Sequence, residues 1–147
     1  METTLSPQIL GRAENAHRAL LERLLAPTTL AAMPDPYRGW VALTLLARSE
    51  RPVGADRFAA ELAAALRADA SGVRSTLDGL TGAGLIAAER QRVALTADGR
   101  ALRDDAQARI AAAIGPLYAQ LDDDDAAAAA RALSHVTRLI DATLAGG

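Results

Sequence analysis

The chain has 147 residues, 50% apolar, 23% charged and 3% aromatic, with a formal net charge of -2, the proportions of one globular domain around a single core. Thirty-six alanines, sixteen arginines and no lysine or cysteine favour helix and exclude disulfides, thiolate metal ligation and a cysteine nucleophile. No apolar run approaches a membrane span, and Met1 to Leu10 lacks the basic and apolar regions of a signal peptide, so a cytoplasmic protein without a membrane partner is expected.

Pro7 to Ala26 places Ile9, Ala13, Ala16, Leu20, Leu21, Leu24 and Leu25 at spacings of three and four, which predicts a helix opened by Ser6-Pro7 and closed by Pro27. Thr28 to Pro36 is proline-rich and reads as a connecting loop. A shorter helix over Tyr37 to Arg48 follows, then a break at Ser49 to Gly54. A helix from about Asp56 carries Phe58, Leu62 and Leu66. After a turn over Arg67 to Ala70, Ser71 to Ala83 forms the next helix, with Val73, Leu77 and Leu80 on its apolar face and Gly84 where a positive φ ends it. Leu85 to Arg90 and Val93 to Thr96 are the only strand-like runs, around a tight turn at Gln91-Arg92. Two helices complete the chain. The first carries a stripe of Leu102, Ala106, Ile110, Ala113, Leu117 and Leu121 and is expected to bend at Gly115-Pro116. The second starts at Asp122 to Asp125 and carries Ala129, Leu133, Val136, Ile140 and Leu144.

Charge is unevenly distributed along this order. Residues 36–96 hold eight arginines against six acids, whereas the flanks hold eight against twelve. A locally positive middle permits a polyanion partner without demanding one.

Three helices followed by a hairpin across residues 36–96 is the order of a winged helix-turn-helix lobe, whose third helix enters a DNA major groove. Three regions follow within one compact domain: 1–35 as an N-terminal dimerisation helix and loop, 36–96 as the DNA-binding lobe, and 97–147 as C-terminal dimerisation helices. The fold class is mainly α, with a short two-stranded wing. The flanking stripes need burial, and a two-fold homodimer supplies it through Leu117, Leu121, Leu133, Val136 and Ile140, setting two reading helices about one DNA turn apart.

The run Ala70-Ser71-Gly72-Val73-Arg74-Ser75-Thr76-Leu77-Asp78-Gly79-Leu80, then Gly84-Leu85-Ile86, then Val93-Ala94-Leu95-Thr96-Ala97-Asp98-Gly99-Arg100-Ala101-Leu102 resembles the MarR family of transcriptional regulators. The shared pattern is a recognition helix ending in Gly-Leu plus an aliphatic residue, a wing, and Leu-Thr-x-x-Gly-Arg-x-Leu opening a long dimerisation helix. The resemblance implies a homodimeric repressor or activator of double-stranded DNA, released by a small, commonly aromatic or phenolic, ligand. It departs in the wing, where only Glu89 to Arg92 lies between the strands.

On this reading Arg74 makes a bidentate base contact, Ser71 and Ser75 reach a base edge or phosphate, and Gly72 admits close backbone approach. Arg67, Arg90 and Arg92 supply sequence-independent attraction. The plainer reading leaves Ser71, Arg74 and Ser75 as solvated side chains, and Arg90 and Arg92 as ordinary edge-strand charges. His17, Tyr37, Arg38 and Trp40 are candidates for an effector cleft, against a plain core role for Trp40.

Enzyme signatures fail. Gly82 to Ala87 matches a dinucleotide-binding string but runs from helix into strand, the reverse of what pyrophosphate binding requires. His17 and His135 lack ligands at metal spacing, and Asp122 to Asp125 caps a helix. No catalysis, cofactor or metal is expected. The rival to a regulator is a winged-helix module for protein-protein interaction, since the short wing and net charge of -2 make a modest footprint for a polyanion.

Overall fold

The computed structural model describes residues 4–147. Helix α1 spans Pro7–Leu25, α2 Pro36–Leu46, α3 Ala55–Leu66, α4 Ala70–Gly82, α5 Ala97–Tyr118 and α6 Asp123–Ala145. Strands β1 (Val53–Gly54), β2 (Ile86–Glu89) and β3 (Arg92–Leu95) form an antiparallel sheet in the order β1-β3-β2. The chain divides into two compact units, one running to Ile110 and one covering Ala111–Gly147.

Local chemistry sets the helix ends. Ser6 accepts from the Ile9 N–H at 3.3 Å, Asp35 from Arg38 at 3.2 Å and Asp69 from Gly72 at 2.8 Å, each satisfying a donor that the first turn would otherwise leave unpaired. Just past the end of α4, Gly84 has a φ of 74°, open to glycine without a Cβ penalty. Leu85 N–H then returns to the Leu80 carbonyl at 3.0 Å, turning the chain into β2.

Within the first unit, α2 lies against α1, α3 and α4. Leu25, Leu30, Leu43, Leu62 and Leu80 are its largest fully buried side chains, each contributing roughly 1.5–3 kcal/mol of transfer free energy. The loop before α2 is more than a connector. Thr29–Ala32 forms a 3-10 turn that buries Leu30. Met33 then packs between helices, since a Cβ on Gly39 of α2 would stand 2.9 Å from its sulfur and one on Gly79 of α4 3.1 Å from its Cε.

Three sequence expectations need correction. Val53–Gly54 is a strand, pairing Val53 with Val93 and Gly54 with Arg92; two residues are too few to show any periodicity. The hairpin turn is Arg90-Gln91 and not Gln91-Arg92, because Glu89 pairs with Arg92 and the two turn residues have φ of 53° and 63°, as a type I′ turn demands. Helix α5 runs through Pro116 to Tyr118 and stops there, so Leu121 lies in the connection to α6.

The start of α5 explains the Leu95-Thr96-Ala97-Asp98-Gly99 sequence. Thr96 Oγ1 donates to the Gly84 carbonyl at 2.6 Å and accepts from the Gly99 N–H at 3.0 Å. One hydroxyl thus caps α5 and ties it to the end of α4. Gly99 is buried, and any Cβ there would collide with the Leu85 carbonyl.

In the second unit α6 has no buried residue. Its acidic first turn, Asp123 to Asp125, follows the Asp122 cap and complements the helix dipole.

Candidate nucleic-acid interface

Helix α4 packs on α2 and α3 through buried Val73, Thr76 and Leu80 and half-buried Leu77. Thr76 donates its hydroxyl to the Gly72 carbonyl at 3.0 Å, so its one polar atom is satisfied inside the helix. Helical periodicity then turns Ser71, Arg74 and Ser75 outward, and all three are exposed. Arg67 caps α3 in the left-handed conformation, with φ of 49°, and is exposed before α4 begins.

The hairpin presents Arg90, Gln91 and Arg92 to solvent. Arg90 sits in the turn itself. Arg92 has structural engagements as well: it faces Glu89 across the hairpin, and its guanidinium donates to the Pro52 carbonyl at 3.4 Å, tying the β1 approach to β3.

The four effector candidates turn to different neighbours. His17 is exposed, with Nδ1 2.7 Å from the Ala13 carbonyl of its own helix. Tyr37 lies under the Arg18 guanidinium, 4.6 Å from ring centroid to carbon, a cation-π geometry. Arg38 pairs with Asp35 at 3.3 Å and reaches toward Gly72. Trp40 is a core residue at 8% exposure.

Of the expected dimerisation residues, Leu117, Leu121, Leu133 and Ile140 are 40–52% exposed and Val136 is half-buried. Leu144, at the end of the α6 stripe, is similarly exposed, as are Tyr118 and Leu139, which lie off the two stripes. Leu139 falls between the steps of the α6 stripe.

No family model matches the chain, and no curated protein does. Solved structures do. A MarR-family transcriptional regulator from Rhodococcus sp. RHA1 is similar at a TM-score of 0.69 and 24% identity, over 92% of this chain and 97% of that one. CouR from Rhodococcus jostii RHA1, solved with p-coumaroyl-CoA, has a TM-score of 0.69 at 26% identity, over 87% and 88%. The Mycobacterium tuberculosis MarR-family protein Rv2887, solved with DNA, has a TM-score of 0.65 at 26% identity, over 90% and 98%. The fold is that of these MarR-family proteins. In the MarR fold α4 is the third helix of the winged lobe and β2-β3 the wing.

Two residues beside these candidates, Arg18 and Asp35, escape a reading by periodicity. Arg18 is indistinguishable in sequence from other polar positions of α1, and Asp35 reads as loop until the α2 boundary makes it a cap. Among the described residues no helix is long and apolar enough to cross a membrane.

Proposed function

We propose that this chain is a sequence-specific DNA-binding transcriptional regulator, a repressor that acts as a homodimer on a palindromic site and is released by a small aromatic ligand. The observation that carries the reading is the outward face of α4, where Ser71, Arg74 and Ser75 are exposed on a helix whose other side is held in the lobe. Arg74 is the one cation on that face long enough to fork onto guanine, while the serines allow close approach. Arg67, Arg90 and Arg92 add attraction to any duplex. The fold likeness to Rv2887, solved with DNA, supports the same use of residues 36–96.

Homodimerisation is supported by exposed Leu117, Leu121, Leu133, Leu139, Ile140 and Leu144. A run of large apolar side chains in water is unfavourable for a monomer, and a two-fold partner offers the matching surface. In this division of labour residues 97–147, with the N-terminal 1–35, hold the dimer. An aromatic effector is supported by CouR and by Rv2887, which was also solved with salicylic acid. The sole tryptophan, Trp40, is the reporter: phenolic acids that bind are expected to change its fluorescence and weaken DNA binding together, and acids that do neither remove this ligand class. A DNA target fits a cytoplasmic location.

A salt titration of duplex binding tests the central reading. Neutralised phosphates release counterions, so affinity is expected to fall steeply with salt, with a logarithmic slope of about 0.9 per phosphate contact. Absence of duplex binding at low salt favours a protein-interaction module instead.

A further inference from the structure

The first turn of α4 has a second arginine beside it, contributed by α2. Asp35 accepts the Arg38 N–H through Oδ1 at 3.2 Å, and its other carboxylate oxygen lies 3.3 Å from Arg38 Nε. The guanidinium is therefore held through Nε, its other nitrogens being the two Nη groups. One of them lies 2.7 Å from the position a Cβ would occupy on Gly72. The side chain thus rests across the first turn of α4 in space that glycine alone leaves open. A cleft of about 170 Å³ lies here, lined by Pro34, Arg38, Gly72, Ser75 and their neighbours.

Two capping carboxylates meet at this place, Asp35 and Asp69, the latter 3.4 Å from the same Cβ position. Left to themselves they would repel a phosphate approaching α4. The Arg38–Asp35 pair is 37% exposed on both sides, and an exposed pair three residues apart adds little to stability, so fold stability alone does not account for the placement. A guanidinium that gives Nε to a carboxylate keeps two Nη donors in the planar fork that suits a phosphate.

We propose that Arg38 is a DNA-backbone contact: with the Ser75 hydroxyl beside it, the guanidinium takes a phosphate on the wall of the groove that α4 enters, and Gly72 is the seat that lets it reach. The contact carries no sequence information and sets how deep and at what register α4 sits. This assignment rests on the DNA-binding reading, and moves Arg38 from the effector residues to the DNA face.

The test is anisotropy of the full chain with its selected duplex and an unrelated one, across a salt series, with thermal melts alongside. Arg38→Ala is expected to weaken both duplexes by roughly a hundredfold, since the homodimer loses one charge-assisted contact in each protomer, and to flatten the salt slope by about 0.9 per lost phosphate contact. Gly72→Ala raises helix propensity yet is expected to weaken binding similarly, because its methyl displaces the guanidinium. In the Arg38→Ala background it should add nothing further. Arg38→Lys, with charge but no fork, should fall between Arg38→Ala and the parent. If the parent binds with steep salt dependence and Arg38→Ala matches it in affinity and slope, the assignment is wrong and the DNA-binding reading stands. A weaker Arg38→Ala with an unchanged slope and a lowered melting temperature assigns Arg38 to helix capping alone, which also overturns it. A parent that binds no duplex overturns the DNA-binding reading itself.

Discussion

Helices α4 and α6 are both amphipathic, yet only α4 hides its apolar side within the chain. In α4, Val73, Thr76 and Leu80 are buried against α2 and α3, so what remains outside is Ser71, Arg74 and Ser75. In α6 none of the 23 residues is buried, and Leu133, Leu139, Ile140 and Leu144 are 40–63% exposed. The hydrophobic pattern is of the same kind in both; what differs is whether the chain provides the surface that covers it. An apolar stripe with no cover in its own chain is a surface for association, and a polar face on a helix already held is a surface for recognition.

Six substitutions press on that contrast. Leu133→Asp or Ile140→Asp puts an unpaired charge where the account buries apolar side chains between copies. Association should weaken by at least about 3 kcal/mol per dimer, and sedimentation at micromolar concentration should show a monomer. Gly99→Ala attacks the lobe instead. The new Cβ meets the Leu85 carbonyl, backbone that shifts only with α4 and β2, and denaturant unfolding should show a loss of about 2–3 kcal/mol. Arg74→Ala leaves both folding and dimerisation alone but should cost roughly 1–3 kcal/mol of duplex affinity and relax preference at one base pair per half-site, whereas Arg90→Ala should weaken all duplexes alike. The smallest effect is expected from Gln91→Gly, which removes the left-handed strain at φ 63° and should raise the melting temperature through a gain of about 0.5–1 kcal/mol.

Much of the fold was legible because its signals are local. Ser6-Pro7, the Val73, Leu77 and Leu80 spacing, and Gly84 each mark a boundary or face that one helix decides for itself. What escaped depends on partners distant in sequence. Strand β1 exists only through Val93 and Arg92. The turn shifted by one residue because Arg90-Gln91 lacks the Asn or Gly that usually marks positive φ. The direction of Arg38 is the clearest case in the site: on α2 it is one more polar residue, and only the packing of α2 on α4 brings it beside Gly72. Spacing puts Tyr37 and Trp40 on one face of α2; Arg38, the next position, diverges from Tyr37 by about 100° and reaches Gly72, while the Tyr37 ring meets Arg18 and Trp40 joins the core.

Selection of bound duplexes from a random pool, run in parallel on the parent chain and Leu133→Asp, tests the central claim most directly. A homodimer that reads DNA with α4 is expected to enrich a two-fold symmetric sequence with half-sites about one helical turn apart, and Leu133→Asp should lose that symmetry or the enrichment altogether. Enrichment of nothing by the parent, or of an asymmetric sequence that Leu133→Asp selects equally well, would contradict it.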